Sequence, residues 1–172
     1  EKLKSEDFIS KLESLEANLY IVVAFRMLPE KVWRMPEYGT FNLHASLLPQ
    51  YRGAAPINWA VINGEKETGA TTFFLQHEID TGNILFSKKT PIAETDNAGT
   101  VHDNLMYLGA GLVLKTVKAI EENNFSESSQ LAVDSSSLKH APKIFKEDCL
   151  IDWNKNAAEI YNEIRSCPAV IS

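Results

Sequence analysis

Three shortages in the 172-residue sequence narrow the classes of protein that it can encode. It has only two cysteines, Cys149 and Cys167, too few for a disulfide framework or a zinc site of ordinary spacing. Its 17 Lys and Arg residues are outnumbered by 23 Asp and Glu, and the net charge of −6 argues against blanket binding of nucleic-acid phosphates. We therefore expect free thiols, a cytoplasmic location and no DNA partner.

Long apolar runs are also missing. The two longest, residues 19–25 and 109–114, are far shorter than the roughly 20 residues that a membrane-spanning helix needs, so we expect no membrane partner. A chain of this length nevertheless buries roughly 70 % of the surface that its unfolded form exposes. It can therefore build a core without disulfide or metal crosslinks.

A helix followed by a strand opens the chain. Ser5 can cap an amphipathic helix, and residues 19–25 form a continuous apolar run typical of a strand buried on both faces. A helix that leads into such a strand lies in the middle of an α/β unit. We therefore expect the first strands of the sheet to be missing from this chain.

Three more strands are predicted in the next part of the sequence. Residues 40–45 form the second strand, with Asn42 and His44 on one face because side chains alternate along a strand. Residues 70–76 and 84–92 form the third and fourth strands, which pair as a hairpin around Gly82 and Asn83. The other predicted elements are a helix from Pro56 that ends before Gly64, a long helix capped by Thr100 and Asp103, a helix from near Asn154, and a short edge strand at residues 130–133.

Residues capable of catalysis concentrate between Asn42 and Gly82. His44 can exchange a proton near neutral pH, and the Asn42 amide can stabilise an oxyanion. Asp80 lies in an acidic loop after the third strand, where its carboxylate can orient His44. A lone strand histidine is more often a core or surface residue, and a lone aspartate before Thr-Gly is more often a turn residue, so spacing by itself does not assign catalysis.

Two motifs carry a resemblance to a known family. The signature of the 10-formyltetrahydrofolate-dependent formyltransferases closely resembles residues 41–65, which read FNLHASLLPQYRGAAPINWAVINGE. That family's second motif resembles residues 79–82, Ile-Asp-Thr-Gly, at the expected distance. Residues 52–57, 143–148 and 151–153 are similar to members that act on methionyl-tRNA.

The resemblance implies a fold and a set of site residues. The fold is a Rossmann-like α/β domain with a mostly parallel open sheet flanked by helices. Residues 1–172 would form one catalytic domain, incomplete at its amino terminus. Residues from about 154 to 172 would be a terminal helix leading toward a C-terminal β-domain that this chain lacks. The implied catalytic residues are Asn42, His44 and Asp80, and the implied folate-binding residues are Ser46, Leu47, Leu48 and Pro49.

The implied reaction moves a formyl group from 10-formyltetrahydrofolate to the α-amine of methionine on initiator methionyl-tRNA, for translation initiation, without a metal. Two alternatives stay open. One is folate chemistry with another acceptor: an amino-sugar nucleotide, a purine-pathway amine or water. The other is a non-catalytic folate-binding module, which the presence of Asn42, His44 and Asp80 together argues against.

Two residues near the motifs have more than one interpretation. Arg52 can meet a ligand carboxylate or a tRNA phosphate, or it can form a structural ion pair. His77 adjoins the loop that carries Asp80, and its chemistry favours a surface or supporting role over catalysis.

Overall fold

The computed structural model describes residues 3–24, 27–130 and 135–167. Residues 131–133 of the predicted edge strand lie outside this range. The elements, in chain order, are α1 (Glu6–Glu13), β1 (Tyr20–Val23), α2 (Glu30–Trp33), β2 (Thr40–His44), β3 (Arg52–Gly53), α3 (Pro56–Ile62), β4 (Glu67–Phe74), β5 (Ile84–Pro91), α4 (Ala98–Glu121), β6 (His140–Ala141) and α5 (Ala157–Ser166).

The main sheet confirms the α/β class and has the strand order β1-β2-β4-β5. It is mixed rather than mostly parallel within the described strands. β1 and β2 are parallel, whereas β4 runs antiparallel to both β2 and β5. The mostly parallel sheet was implied by the family resemblance, whereas the β4–β5 hairpin, predicted from the residues themselves, requires an antiparallel pair. β3 and β6 form a separate small parallel sheet.

The first strand is less buried than its apolar run predicts. Ile21 and Val23 are 45 % and 53 % exposed. β1 lies at one end of the described sheet and has a single strand neighbour, β2. The expectation of burial on both faces is therefore wrong for the described part of the chain.

Helix α4 packs mainly across β4 and β5, and its start differs from the prediction. Asn97 caps it, because the Asn97 Oδ1 accepts a hydrogen bond of 2.9 Å from the Thr100 backbone N–H. Thr100 and Asp103 therefore lie inside the helix and do not cap it. Two small buried residues of α4 meet the sheet: Gly109 lies against Leu43, and the Thr116 hydroxyl is 2.9 Å from the Thr72 hydroxyl.

The connection between β4 and β5 is a long loop, residues 75–83, rather than a tight turn at Gly82 and Asn83. Gly82 packs so closely that an added Cβ would lie 1.7 Å from the Phe74 carbonyl oxygen. Only glycine fits there without a backbone shift. The hairpin pairing is confirmed, and the loop that joins the two strands carries Asp80.

The two glycines in the middle of α4 offer a matched test of how closely this helix packs on the sheet. Gly111 is exposed with open space around its Cα, so Gly111→Ala should gain roughly 0.5–1 kcal/mol of helix propensity. Gly109→Ala gains the same propensity, but its Cβ would lie 2.8 Å from Leu43 Cδ2. We expect thermal unfolding of the full-length protein to show a Tm rise of about 1–4 °C for Gly111→Ala. Gly109→Ala should give no rise. Equal gains at both positions would contradict the close helix–sheet contact.

Candidate active site

A large cleft opens at the carboxyl end of β2, the strand between β1 and β4. Its volume is about 1400 Å³. Asn42 and His44 both line it, as their alternation along β2 predicts. Apolar residues of α4 also line it, among them Leu105, Met106 and Val113. The cleft lining thus combines apolar side chains with a few polar groups.

His44 and Asp80 meet in this cleft. The His44 Nδ1 atom lies 3.8 Å from Asp80 Oδ2, and the two side chains are 8 % and 12 % exposed. This separation is too long for a direct hydrogen bond but within the reach of one bridging water. The Gly53 backbone N–H donates a 3.0 Å hydrogen bond to the same carboxylate oxygen. The carboxylate is therefore held in place by the backbone of β3.

The second ring nitrogen of His44 has a different partner. His44 Nε2 lies 2.8 Å from the backbone carbonyl oxygen of Tyr51. Because a carbonyl oxygen only accepts hydrogen bonds, Nε2 carries a proton in the neutral and in the charged imidazole. Nδ1 is then the nitrogen that can gain or lose a proton, and it is the one that faces Asp80.

The Asn42 amide is available to a ligand. Its side chain is half-buried at the cleft wall, and it makes no hydrogen bond to another residue in the described part of the chain. An amide with unused N–H groups beside a titratable imidazole is the arrangement that stabilises charge on a carbonyl oxygen during acyl transfer.

The loop that carries Asp80 is fixed by a residue that the sequence did not single out. Gln130 is 4 % exposed, and its amide Nε2 donates a 2.6 Å hydrogen bond to the Gly82 carbonyl. Arg52 donates to Gln130 Oε1 from both Nε and Nη2, at 3.2 and 2.7 Å. Arg52 therefore has a structural role, although through an amide rather than the ion pair considered for it. A glutamine in a polar, serine-rich segment carries no pattern that would have revealed this.

The four expected folate residues do not share the cleft lining with Asn42, His44 and Asp80. Ser46 is fully buried, and its hydroxyl donates to the Gln50 carbonyl at 2.7 Å. Leu48 is 7 % exposed, and its N–H donates to Thr71 Oγ1 at 3.2 Å. Leu47 lines a separate cavity of about 260 Å³. Pro49 is half-buried in the same loop. These side chains fix the loop that directly follows His44.

His77 lies at the rim of the cleft and is 64 % exposed. Its Nε2 atom is 3.3 Å from Arg34 Nη2 and 3.4 Å from Glu30 Oε1, and its ring meets Trp33 edge-on. These contacts support a surface role. Among residues 3–24, 27–130 and 135–167, no group of three or more His, Cys, Asp or Glu side chains is placed to hold a metal ion. The same residues include no helix long and apolar enough to cross a membrane.

Comparison with known proteins places this geometry in a wider context. The family model described as formyl transferase matches residues 1–117, and that of the formyl transferase C-terminal domain matches residues 143–171. A methionyl-tRNA formyltransferase from Azobacteroides pseudotrichonymphae is 61 % identical over 166 residues, which are 95 % of this chain and 51 % of that protein. The chain spans about half the length of the curated relatives it matches.

Two solved structures share the fold. The N-formyltransferase from Helicobacter canadensis, in complex with folinic acid and dTDP-3-aminofucose, has a TM-score of 0.64 and 30 % identity, over 73 % of this chain and 46 % of its own. HypX from Aquifex aeolicus, in complex with tetrahydrofolic acid, has a TM-score of 0.78 and 20 % identity, over 96 % of this chain and 28 % of its own. Because the first family model covers more than half of the sequence, the chain belongs to the formyl transferase family.

Proposed function

We propose that this chain carries the reaction centre of an enzyme that transfers the formyl group of 10-formyltetrahydrofolate to the α-amine of methionine on initiator methionyl-tRNA. The observation that carries the proposal is the convergence of Asn42, His44 and Asp80 in one cleft of a formyl transferase family member. The 61 % identity to a relative named methionyl-tRNA formyltransferase supports the acceptor. The folinic acid bound by the Helicobacter canadensis enzyme supports a folate donor. A reaction that serves translation initiation is expected in the cytoplasm.

The cleft fits the proposed pair of substrates. Its volume of about 1400 Å³ exceeds that of an ordinary small-molecule pocket, as a site for a folate and an incoming aminoacyl end requires. The apolar face of α4 offers contact area for a flat ring system. The polar groups Asn42, His44 and Asp80 line the same cleft and would contact the reacting carbonyl.

The chemistry assigned to each residue follows from its atoms. In the reaction the amine nitrogen bonds to the formyl carbon, the bond from that carbon to N10 breaks, and one proton passes from the amine to N10. The Asn42 amide donates a hydrogen bond to the oxyanion that develops on the formyl oxygen. His44 accepts and returns the proton at Nδ1, because Nε2 is already bonded to Tyr51. The negative charge of Asp80, 3.8 Å away, stabilises Nδ1 while it carries that proton.

We further propose that the loop of Ser46, Leu47, Leu48 and Pro49 contacts the folate. Its support is position: it directly follows His44 and is tied to β4 through Thr71. Residues 1–172 would belong to a single catalytic domain, whose residues from about 154 lead toward a C-terminal domain. The hydrogen bond of 2.7 Å from Asn58 Nδ2 to the Ser166 carbonyl, which joins α3 to α5, supports that assignment.

Substitution of the three polar residues separates catalysis from binding. In the full-length protein, Asn42→Ala should lower kcat roughly 10²–10³-fold, the range for loss of one oxyanion donor. His44→Ala should cost at least as much, because it removes the proton carrier. Asp80→Asn keeps the shape and removes the charge, so kcat should fall while folate affinity stays largely unchanged. Steady-state kinetics and calorimetric titration with tetrahydrofolate measure the two effects.

Asp103→Asn is the matched control for the aspartate variant. Asp103 is 70 % exposed on α4, pairs with the neighbouring His102 and is not among the residues that line the cleft. It should leave kcat and folate affinity as they are. Near-normal kcat with a raised KM in both His44→Ala and Asp80→Asn would exclude the catalytic assignment and favour a folate-binding module.

The folate loop has its own test. Leu47 packs against Gly69, so Leu47→Ala should loosen the loop and weaken tetrahydrofolate binding in calorimetric titration. Leu48→Ala should do the same, with an additional loss of stability because the side chain is buried. At saturating folate, kcat should change by less than about twofold, since neither side chain acts on transition-state charge. Leu150→Ala, at a 72 % exposed position, is the control. Unchanged folate affinity in Leu47→Ala and Leu48→Ala would remove the loop from the binding site.

A second acceptor class has one specific observation in its favour. The Helicobacter canadensis relative was solved with dTDP-3-aminofucose, an amino-sugar nucleotide. Charged initiator tRNA and this nucleotide, offered to the full-length protein at equal concentration with labelled formyl donor, distinguish the two. We expect formylated methionyl-tRNA as the dominant product. Label in the sugar alone would replace the acceptor while keeping the reaction class.

A further inference from the structure

Tyr51, which the proposed reaction does not use directly, has an unusual backbone and an unusual number of contacts. Its φ angle is +60°, in the left-handed region that non-glycine residues rarely adopt, and it is 5 % exposed. Its backbone N–H donates a 2.6 Å hydrogen bond to the Lys139 carbonyl. Its own carbonyl accepts the 2.8 Å hydrogen bond from His44 Nε2. A rare conformation is therefore fixed at the residue that directly contacts the imidazole.

The side chain of Tyr51 is fixed as firmly as its backbone. The hydroxyl donates a 2.5 Å hydrogen bond to Glu65 Oε1 and accepts one of 3.1 Å from Asn63 Nδ2. The Lys139 ammonium bonds to the same Glu65 oxygen at 2.5 Å. Lys139 thus holds Tyr51 at both ends, through its carbonyl and through Glu65. We call Tyr51, Asn63, Glu65 and Lys139 the Tyr51 network.

The protonation states of the Tyr51 phenol and the Glu65 carboxyl keep the hydrogen bond between them in place. Burial and the neighbouring Glu65 carboxylate raise the pKa of the Tyr51 phenol well above its ordinary value. Burial also acts to raise the pKa of Glu65, but the hydrogen bonds from Lys139 and Tyr51 outweigh it and lower that pKa. The phenol therefore stays a donor, and Glu65 stays an anionic acceptor, throughout the neutral range.

We propose that Tyr51 is a positioning residue for His44: its carbonyl keeps the imidazole proton on Nε2, and the Tyr51 network holds that carbonyl where His44 needs it. The kinetic part of this inference rests on the proposed function, whereas the part that concerns the imidazole tautomer does not. A neutral imidazole with its proton on Nδ1 has no lone pair there to accept a proton beside Asp80. If the Tyr51 carbonyl is displaced, the imidazole of His44 can adopt that inactive tautomer and can rotate.

Tyr51→Phe tests the inference, because it keeps the ring in the core and removes only the hydroxyl that contacts Glu65. In the full-length protein, ¹⁵N NMR of labelled histidine should show a smaller fraction of the Nε2–H tautomer at His44 than in the unsubstituted protein. kcat should fall between roughly ten- and a hundredfold, the scale for a misplaced catalytic group. KM for both substrates should stay within about twofold, since Tyr51 binds neither.

Two further variants make the result specific. Tyr161 lies on α5, and its exposed hydroxyl donates a 3.0 Å hydrogen bond to the Glu94 carbonyl. Tyr161→Phe removes that hydroxyl. It should leave both the His44 spectrum and kcat unchanged. Glu65→Gln keeps an acceptor for the phenol but removes the charge that holds Lys139. Glu65→Gln should show a smaller tautomer shift and a smaller loss of kcat than Tyr51→Phe. If Tyr51→Phe does not fold, Glu65→Gln tests the inference in its place.

Each outcome decides the inference. An unchanged Nε2–H fraction at His44 in both Tyr51→Phe and Glu65→Gln would overturn it, whatever happens to kcat. A kcat loss that merely follows the fraction of unfolded protein, with a normal His44 spectrum, would assign Tyr51 to stability alone. If the unsubstituted protein transfers no formyl group, the proposed function fails, and the NMR comparison still decides the role of Tyr51.

Discussion

The hydrogen bond between His44 Nε2 and the Tyr51 carbonyl is the contact on which the order of the site depends. It joins the end of a central strand to the last residue of the loop that follows, across seven positions of sequence. A side chain at a strand end would otherwise retain rotational freedom about its last torsion. With Nε2 committed to the carbonyl, the ring plane, the tautomer and the nitrogen that faces the cleft are all set together.

Three consecutive residues, at the junction of that loop with β3, hold three different parts of the site. Tyr51 bonds to His44 through its carbonyl, Arg52 bonds to Gln130 and so to the Asp80 loop, and Gly53 bonds to the Asp80 carboxylate through its N–H. Gly53 has a φ of +129°, and an added Cβ would lie 2.3 Å from the carbonyl oxygen of Ala141. Residues 51–53 thus link His44 to Asp80. The positive φ and the close approach of Ala141 require glycine at position 53.

Local patterns in the sequence were sufficient for those features that depend on local geometry. The period-two alternation of a strand places Asn42 and His44 on one face wherever that strand lies, and the hairpin character of β4 and β5 followed from their flanking residues. The burial of β1 was mispredicted because burial depends on what covers a strand, which its own residues do not record. The mixed sheet has a similar explanation: the direction of a strand depends on the connections between strands, which the residues of the strand do not record.

The site was predictable where chemistry identifies a residue and unpredictable where only contacts do. Asp80 was found through its carboxylate, and its φ of +55° is one that aspartate tolerates better than most residues. Tyr51 was missed because turn rules assign left-handed backbone to glycine, asparagine and aspartate, not to an aromatic residue in the core. Gln130 was missed because its role exists only through the Gly82 carbonyl, 48 positions away in sequence.

The pairing of β3 with β6 has a consequence for when the site can form. Lys139 and Gln50 are joined by a hydrogen bond across 89 positions, and Ala141 closes over Gly53 in the same small sheet. Such long-range closures are slow to form, because the entropy of a large loop must be lost before any contact rewards it. On the ribosome, a nascent chain that ends before residue 141 therefore holds His44, Tyr51 and Asp80 without the strand that brings them into register. The reaction centre can therefore become ordered only after residues 139–141 have emerged.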